Sequence, residues 1–448
     1  MKLGVNNIYL LLRNKIEPYL GSDTRLRIAK GAFWGTVGTI ATRSVTIILS
    51  FALARILGKE GFGEYGIINN TAAMISGFAG LGIGATVTRY VASLKVREPE
   101  RAGKIIGLSS IITWFSAIIY GAIFIYFAPW LAKTTLAAPQ LASMLQISSI
   151  SIGLGVVNSV QVSTLTGLES FKASSILSTI LGIIQSVLVV LLAWYAGVKG
   201  AVIALAFTSG FTVLAYYVVT RKELDSAKIK ITFEEAMSEW RILVKYSLPA
   251  FLSTITVGPV IWASNAFLAN RPDGYGQLGI FNAASQWDTF VRFFPALIST
   301  AVLPVMSDMY GRGDKKGSIN IMWKMMGITA LLVIPLAIII SLFSPLIIKG
   351  YGSSFAGGHW VIVIVVFTTV LISISTHLGT FIAASGKMWI GFAINSAWAV
   401  SFLIFSFHMV KWGAEGLATA KLISYFLHFI WSLIICVVIS KKLNKETN

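Results

Sequence analysis

Polar residues along this chain fall in short clusters, and between the clusters run long stretches that contain almost none. Residues 105–128, 176–196 and 328–348 are nearly unbroken apolar sequence. A half-buried strand alternates every second residue and a surface helix every third or fourth; these runs do neither. A helix of about 20 residues spans the ~30 Å hydrocarbon core of a bilayer. In hydrocarbon a segment must satisfy its own backbone hydrogen bonds, and the continuous runs favour helices over the alternating strands of a barrel. The pattern predicts an all-α integral membrane protein of about twelve transmembrane helices. They are expected near residues 32–56, 66–92, 105–128, 141–166, 174–196 and 200–220, and near 246–269, 279–306, 325–348, 360–384, 389–410 and 415–440.

Composition agrees. The chain is 56% hydrophobic and only 12% charged, with a mean hydropathy of +0.78. A soluble exterior could not carry that much apolar surface. The net charge of +18 invites a nucleic-acid reading, but the basic residues are scattered over short loops, as the positive-inside effect requires. Clusters such as Lys95–Arg97–Arg101–Lys104 and Arg312–Lys315–Lys316 fall on one side, whereas the other holds single residues such as Arg271 and Lys411. Both termini are therefore expected in the cytoplasm of a bacterial cell, with the body in the inner membrane. The first 30 residues lack the core of a cleaved signal, and 6–20 fit a short helix lying on the membrane surface. The lone cysteine, Cys436, excludes a disulfide framework and a zinc site; no metal or cofactor is expected.

The chain repeats itself. Gly61-Phe-Gly-Glu-Tyr-Gly-Ile-Ile-Asn69 matches Gly274-Tyr-Gly-Gln-Leu-Gly-Ile-Phe-Asn282 without a gap, and Gly197-Val-Lys-Gly200 matches Gly413-Ala-Glu-Gly416. The expected organisation is a cytoplasmic segment 1–30, a six-span lobe 31–220, a charged linker 221–245, a second six-span lobe 246–440 and a tail 441–448. Even-numbered halves make the repeats parallel, and two such bundles can rock about a central cavity.

Three stretches carry a family likeness: Lys30-Gly-Ala-Phe-Trp-Gly35, Ala54-Arg-Ile-Leu-Gly-Lys-Glu-Gly-Phe-Gly-Glu-Tyr-Gly66 and Gly80-Leu-Gly-Ile-Gly84. They resemble the polysaccharide-transporter branch of the multidrug/oligosaccharidyl-lipid/polysaccharide exporter superfamily, and within it the Wzx-type O-antigen flippases. The resemblance implies a V-shaped pair of lobes, alternating access and an undecaprenyl-diphosphate-linked oligosaccharide as cargo. Membrane lipids would surround it, protons or sodium could drive it, and other polysaccharide-assembly proteins could meet it.

Ionisable residues inside spans are costly unless they face protein or water, which makes them candidates for transport. Arg43 lies mid-span, where a guanidinium suits a diphosphate; its equivalent in the second half is Thr256. Asp288 and Arg292, four residues apart, share a helix face and can pair. Arg292 is then a second phosphate ligand and Asp288 its counter-ion or an ion-responsive switch; a self-neutralising packing pair is the plainer reading. Trp287 beside them could stack on a sugar. Lys421 is a cavity candidate whose long stem could instead reach the outer interface, and Arg89 lies where an incoming headgroup would arrive. Glu64, ahead of the second span, is a further coupling candidate expected to be solvated. The glycines of Gly31-x-x-x-Gly35 and Gly80-x-x-x-Gly84 are expected to let helices approach closely.

Two other classes fit less well. A membrane glycosyltransferase or polymerase needs an acid–base or metal-binding constellation, and the only acid cluster, Glu234, Glu235 and Glu239, lies in the linker, where a solvated helix face accounts for it. A multidrug exporter of organic cations needs buried acids, whereas basic residues predominate within these spans. The topology makes a direct prediction. In a Cys436→Ala background, Lys316→Cys reacts with a membrane-impermeant maleimide only in opened cells, and Arg271→Cys reacts in intact spheroplasts.

Overall fold

The computed structural model describes residues 22–244, 247, 251, 256–292, 295, 302 and 305–446. The interfacial helix expected at 6–20 lies outside them. The described residues are helical throughout, with short turns and no strand: α1 (Ser22–Ala79), α2 (Ile83–Leu94), α3 (Pro99–Trp130), α4 (Ala142–Gly167) and α5 (Phe171–Ser226) come from the first half. The second half supplies α6 (Val257–Ala269), α7 (Gly274–Val291), α8 (Lys315–Tyr351), α9 (His359–Ala384), α10 (Met388–Met409) and α11 (Gly413–Glu446). Seven described helical segments are long and apolar enough to cross a membrane. Trp130, Trp194, Trp360, Trp389 and Trp412 stand exposed near helix ends, the position that amphipathic rings take at a bilayer interface.

The two longest, α1 and α5, are each two helical stretches joined at a glycine. α1 breaks at Gly58 (φ 66°, ψ 179°) and α5 at Gly197 (φ 57°, ψ −143°). A side chain at positive φ would clash with its own backbone, so glycine is the residue that turns the chain there. Gly413 adopts φ 68°, ψ −145°, almost the dihedrals of Gly197. The second stretch of the sequence repeat is thus also a repeat of backbone shape.

The first stretch packs against its own copy. A Cβ on Gly63 would fall on the carbonyl of Tyr275, one on Gly279 on the carbonyl of Lys59, and one on Gly66 on the side-chain amide of Asn282. The paired glycines bring the backbones of α1 and α7 together without side chains between them, as small residues do in membrane helices.

Elsewhere the structure corrects the sequence reading. The run 66–92 is interrupted: Leu81 (φ 48°) and Gly82 (φ 68°) take left-handed conformations, so the helix stops at Ala79 and restarts at Ile83. Gly84 does permit a close approach, to the hydroxyl of Ser163, but no atom lies within 4 Å of a Cβ on Gly35. The linker is not simply solvated. Glu239 pairs with Arg101 at 2.7 Å and Glu235 with Lys104 at 2.6 Å, both at the start of α3. The carbonyls of Lys230 and Thr232 sit against Gly103 and Gly107, and Ala236 and Leu243 pack on Leu108.

These contacts sort the glycines by consequence. Gly279→Leu is expected to lower the unfolding midpoint in detergent strongly, overpacking costing about 1–3 kcal/mol or more. Gly35→Ala, with open space around it, is expected to leave that midpoint unchanged or slightly raised.

Candidate functional site

Asp288 lies in the last turn of α7 with its side chain only 5% exposed. A carboxylate so placed needs partners, and three other side chains supply them. Arg292, one turn on, approaches with Nε 2.8 Å from Oδ1. Lys421 of α11 donates to Oδ2 at 3.0 Å. Thr369 of α9 places its hydroxyl 2.9 Å from Oδ1 while also donating to the carbonyl of Val365. One carboxylate therefore ties together α7, α9 and α11.

Its two cations differ in surroundings. The side chain of Lys421 is 13% exposed and is held in the protein; its stem turns to Asp288 and not to the outer interface. That of Arg292 is 46% exposed, paired along one edge and open along the other. Across from it, Arg43 of α1 is exposed and lies within electrostatic range of the Arg292 guanidinium. Among the described residues no carboxylate faces Arg43. The two groups match in depth: Arg43 is roughly 22 Å along its helix from Gly58, and Arg292 roughly 27 Å from Gly274, at 1.5 Å per residue. Arg292 and Lys421 thus share one acid, while Arg43 has only the like charge of Arg292 near it, and both arginines are exposed. Like charges at that separation repel unless water or an anion lies between them.

Sequence reasoning missed several members of this site. Thr39, Thr46 and Ser50 share the face of Arg43, their hydroxyls satisfied by carbonyls of the preceding turn. Tyr425, one turn beyond Lys421, is within electrostatic range of Asp288 and Arg292 and leans on Trp398 at 5.1 Å. The spacing of Tyr425 from Lys421 was the available signal; Thr369 offered none.

Other expected residues lie elsewhere. Trp287 is half-buried, packed edge-on to Phe290 at 6.4 Å, and its indole nitrogen is buried without a hydrogen bond. Arg89 is exposed on α2, its guanidinium 5.9 Å from the Tyr90 ring. Glu64 is half-buried, not solvated: Gln140 donates to it at 3.2 Å. It sits where Tyr275 and Asn270 donate to the carbonyls of Leu136 and Thr135 at 2.7 Å, roughly 20 Å along α7 from Asp288. His377 is fully buried, with Nε2 2.7 Å from the Thr329 hydroxyl.

The halves meet at the end where Glu64 lies. Lys59 pairs with Asp273 at 2.6 Å, Arg55 donates to the carbonyl of Gly350 at 2.7 Å, and the hydroxyls of Ser50 and Tyr351 lie 3.1 Å apart. Along another edge Trp262 donates to Thr71 at 2.8 Å and Thr86 lies 2.6 Å from Ser247.

The cluster's burial ranks the effects of substitution on stability. Asp288→Ala, which strands an enclosed ammonium, is expected to cost about 3–5 kcal/mol. Lys421→Ala should cost less, and Arg292→Ala, at the open edge, about 1 kcal/mol or below. Thermal unfolding of the purified variants checks the order.

Comparison with known proteins places this geometry. A profile of the polysaccharide biosynthesis protein family matches residues 28–310. The chain is 23% identical over 415 residues to the EPS I polysaccharide export inner membrane protein EpsE of Ralstonia nicotianae, covering 90% of this chain and 92% of that protein. It is 25% identical over 410 residues to a putative O-antigen transporter of Shigella flexneri, covering 88% and 94%. Among solved structures the fold resembles the lipid II flippase MurJ in an inward closed conformation, with a TM-score of 0.72, 16% identity and coverage of 89% and 86%. It resembles an inward-facing multidrug transporter of the MATE family equally well, with a TM-score of 0.72, 15% identity and coverage of 89% and 96%. A profile match over more than half of the chain, on a fold shared with membrane transporters, makes this protein a member of the polysaccharide biosynthesis protein family.

Proposed function

We propose that this protein is a flippase carrying an undecaprenyl-diphosphate-linked oligosaccharide from the cytoplasmic to the outer leaflet of the inner membrane. The observation that carries the reading is the pair Arg43 and Arg292, two exposed cations on apolar helices within electrostatic range of each other. A diphosphate is the anion that two guanidinium groups grip well, each offering paired N–H donors to phosphate oxygens. Lys421 adds positive potential while holding Asp288, and Asp288 keeps Arg292 oriented toward the space. The hydroxyl face of Thr39 and Thr46 gives sugar hydroxyls polar surface to slide along, while Ser50 below them is buried against Tyr351. Arg89, on the cytoplasmic side, attracts the incoming headgroup. Trp287 belongs to the packing, and Glu64 to the contact between the halves.

In this reading the twelve crossings form two lobes, 31–220 and 246–440, and transport proceeds by alternating access. The ion pair Lys59–Asp273, the Arg55–Gly350 bond and the Gly63–Gly279 contact close the outer side while the cationic space admits cargo from the cytoplasm. Opening the outer side breaks the exposed polar bonds, each worth about 0–1 kcal/mol. Proton or sodium binding acts at Asp288 by loosening its hold on Lys421 and Arg292. Names among the relatives, polysaccharide export and O-antigen transport, support a saccharide cargo. An organic cation would meet like charge in this space, which disfavours the multidrug alternative.

Reconstitution in liposomes with a fluorescent polyprenyl-diphosphate oligosaccharide tests the reading. Wild type is expected to move the lipid, and Arg43→Ala and Arg292→Ala to slow movement about tenfold or more, the scale of one charge-assisted hydrogen bond. Arg43→Lys should recover part of the loss. Folded wild type that moves no such lipid overturns the proposal. In a Cys436→Ala background, a disulfide between Lys59→Cys and Asp273→Cys is expected to stop movement until reduced; undiminished movement in the cross-linked protein refutes the outer gate.

A further inference from the structure

A second polar site lies well apart from the cationic space, on the flank of the first half. A cleft of about 390 Å³ opens between α3, α4, the end of α5 and the linker. Its walls are apolar and aromatic: Ile111, Trp114, Tyr217 and Phe233 line it and are 46–56% exposed. Exposed apolar side chains of this kind suit a lipid surrounding, from which the cleft can be entered sideways. At its linker end stands Arg221, half-buried, its guanidinium 5.3 Å from the Tyr217 ring.

The polar groups in the cleft divide into two kinds. Ser110, Thr113 and Thr164 satisfy their hydroxyls on carbonyls of their own helices. Three other buried atoms have no hydrogen-bond partner: Arg221 Nε, Thr220 Oγ1 and Gln161 Oε1. The amide nitrogen of Gln161 is already committed to the carbonyl of Val213 at 3.2 Å. Nor does an acid neutralise Arg221 among the described residues; nearby Glu223 accepts from Ser170 at 2.6 Å. Leaving such atoms unpaired is costly at membrane depth, about 1–3 kcal/mol each and more for a charged group.

The unpaired atoms specify what would satisfy them. Arg221 Nε is a cationic donor and requires an acceptor, ideally an anion. The Thr220 hydroxyl donates or accepts. Gln161 Oε1 accepts only, so it requires a donor, which an ionised phosphodiester lacks but a hydroxyl supplies without bringing the second positive charge of an ammonium beside Arg221. A headgroup with a phosphate and a free hydroxyl, on acyl chains that fill the aromatic and aliphatic groove, meets all three at once. We infer that this cleft binds an anionic glycerophospholipid whose headgroup bears a hydroxyl, of the phosphatidylglycerol class, taken from the leaflet on the linker's side. The phosphate sits on Arg221 and Thr220, the headgroup hydroxyl donates to Gln161, and a chain lies along Trp114 and Ile111. Residues 231 and 233 of the linker form part of the wall, so the lipid also fastens the linker to the first half. This site requires no polyprenyl cargo and stands whether or not the flippase reading holds.

Native mass spectrometry of the full chain, released from nanodiscs of equal phosphatidylglycerol, phosphatidylethanolamine and phosphatidylcholine, tests the inference. Wild type is expected to retain phosphatidylglycerol about tenfold over phosphatidylcholine, the scale of one charge-assisted hydrogen bond. Arg221→Gln should abolish that preference, and Lys316→Gln, a basic residue outside the cleft, should keep it. Gln161→Met, which removes the acceptor without touching charge, should lower retention of phosphatidylglycerol relative to phosphatidylcholine, whose headgroup has no donor. It also serves as the test if Arg221→Gln does not fold. Excess inorganic phosphate should not displace the lipid, since the apolar groove holds the chains. Equal retention of all lipids by wild type, an undiminished preference in Arg221→Gln, or displacement by phosphate alone overturns the proposal.

Discussion

Hydrocarbon offers no hydrogen bonds, and the arrangement of this molecule follows from that poverty. Backbone groups must pair within each helix, so a chain this apolar can only be a set of helices. Hydroxyls inside the helices meet the same demand locally: Thr71, Thr113, Thr164 and Thr368 each donate to a carbonyl one turn back. Charges cannot solve the problem within one turn alone. Asp288 solves it by drawing side chains from three helices, and in doing so it fixes which faces of α9 and α11 turn toward α7. The same rule makes Arg43 and Arg292 informative, because cations left facing open space must border water or meet an anion.

Much of this was legible in the sequence. The repeat around Gly61 and Gly274 could be read because helices in direct backbone contact tolerate only small residues there, and Gly63, Gly66 and Gly279 are those residues. Arg43, Asp288 and Arg292 stood out because each is expensive in an apolar run. What stayed hidden had no such cost. Thr369 looks like any threonine of a membrane helix, since it can satisfy itself on Val365. The direction of the Lys421 stem depends on which face of α11 is turned inward, and a uniformly apolar helix carries no mark of that. The break at Leu81–Gly82 reads as a packing motif, because a glycine placed for close approach and one placed for positive φ look alike in sequence. Glu235 is indeed solvated, but Glu239 read so only because its partner, Arg101, lies far away along the chain.

The family membership and the site divide the labour of explanation. Membership places the chain in the polysaccharide biosynthesis protein family, and its fold is shared with solved membrane transporters of different cargoes, so architecture alone does not choose a cargo. In the proposed reading the choice rests on local electrostatics: two cations on Asp288, with Arg43 nearby, favour an anion. In the same way the cleft beside Arg221 is defined by its unpaired atoms and not by its shape.

The docked linker has a mechanical consequence. Leu243 is packed on the first half at Leu108, and Ser247 already touches Thr86. The chain between those two anchors can extend by no more than roughly 14 Å. The second half therefore hangs from the first on a very short strap at this corner. Any large relative movement has to swing about the strap, as a door swings on its jamb.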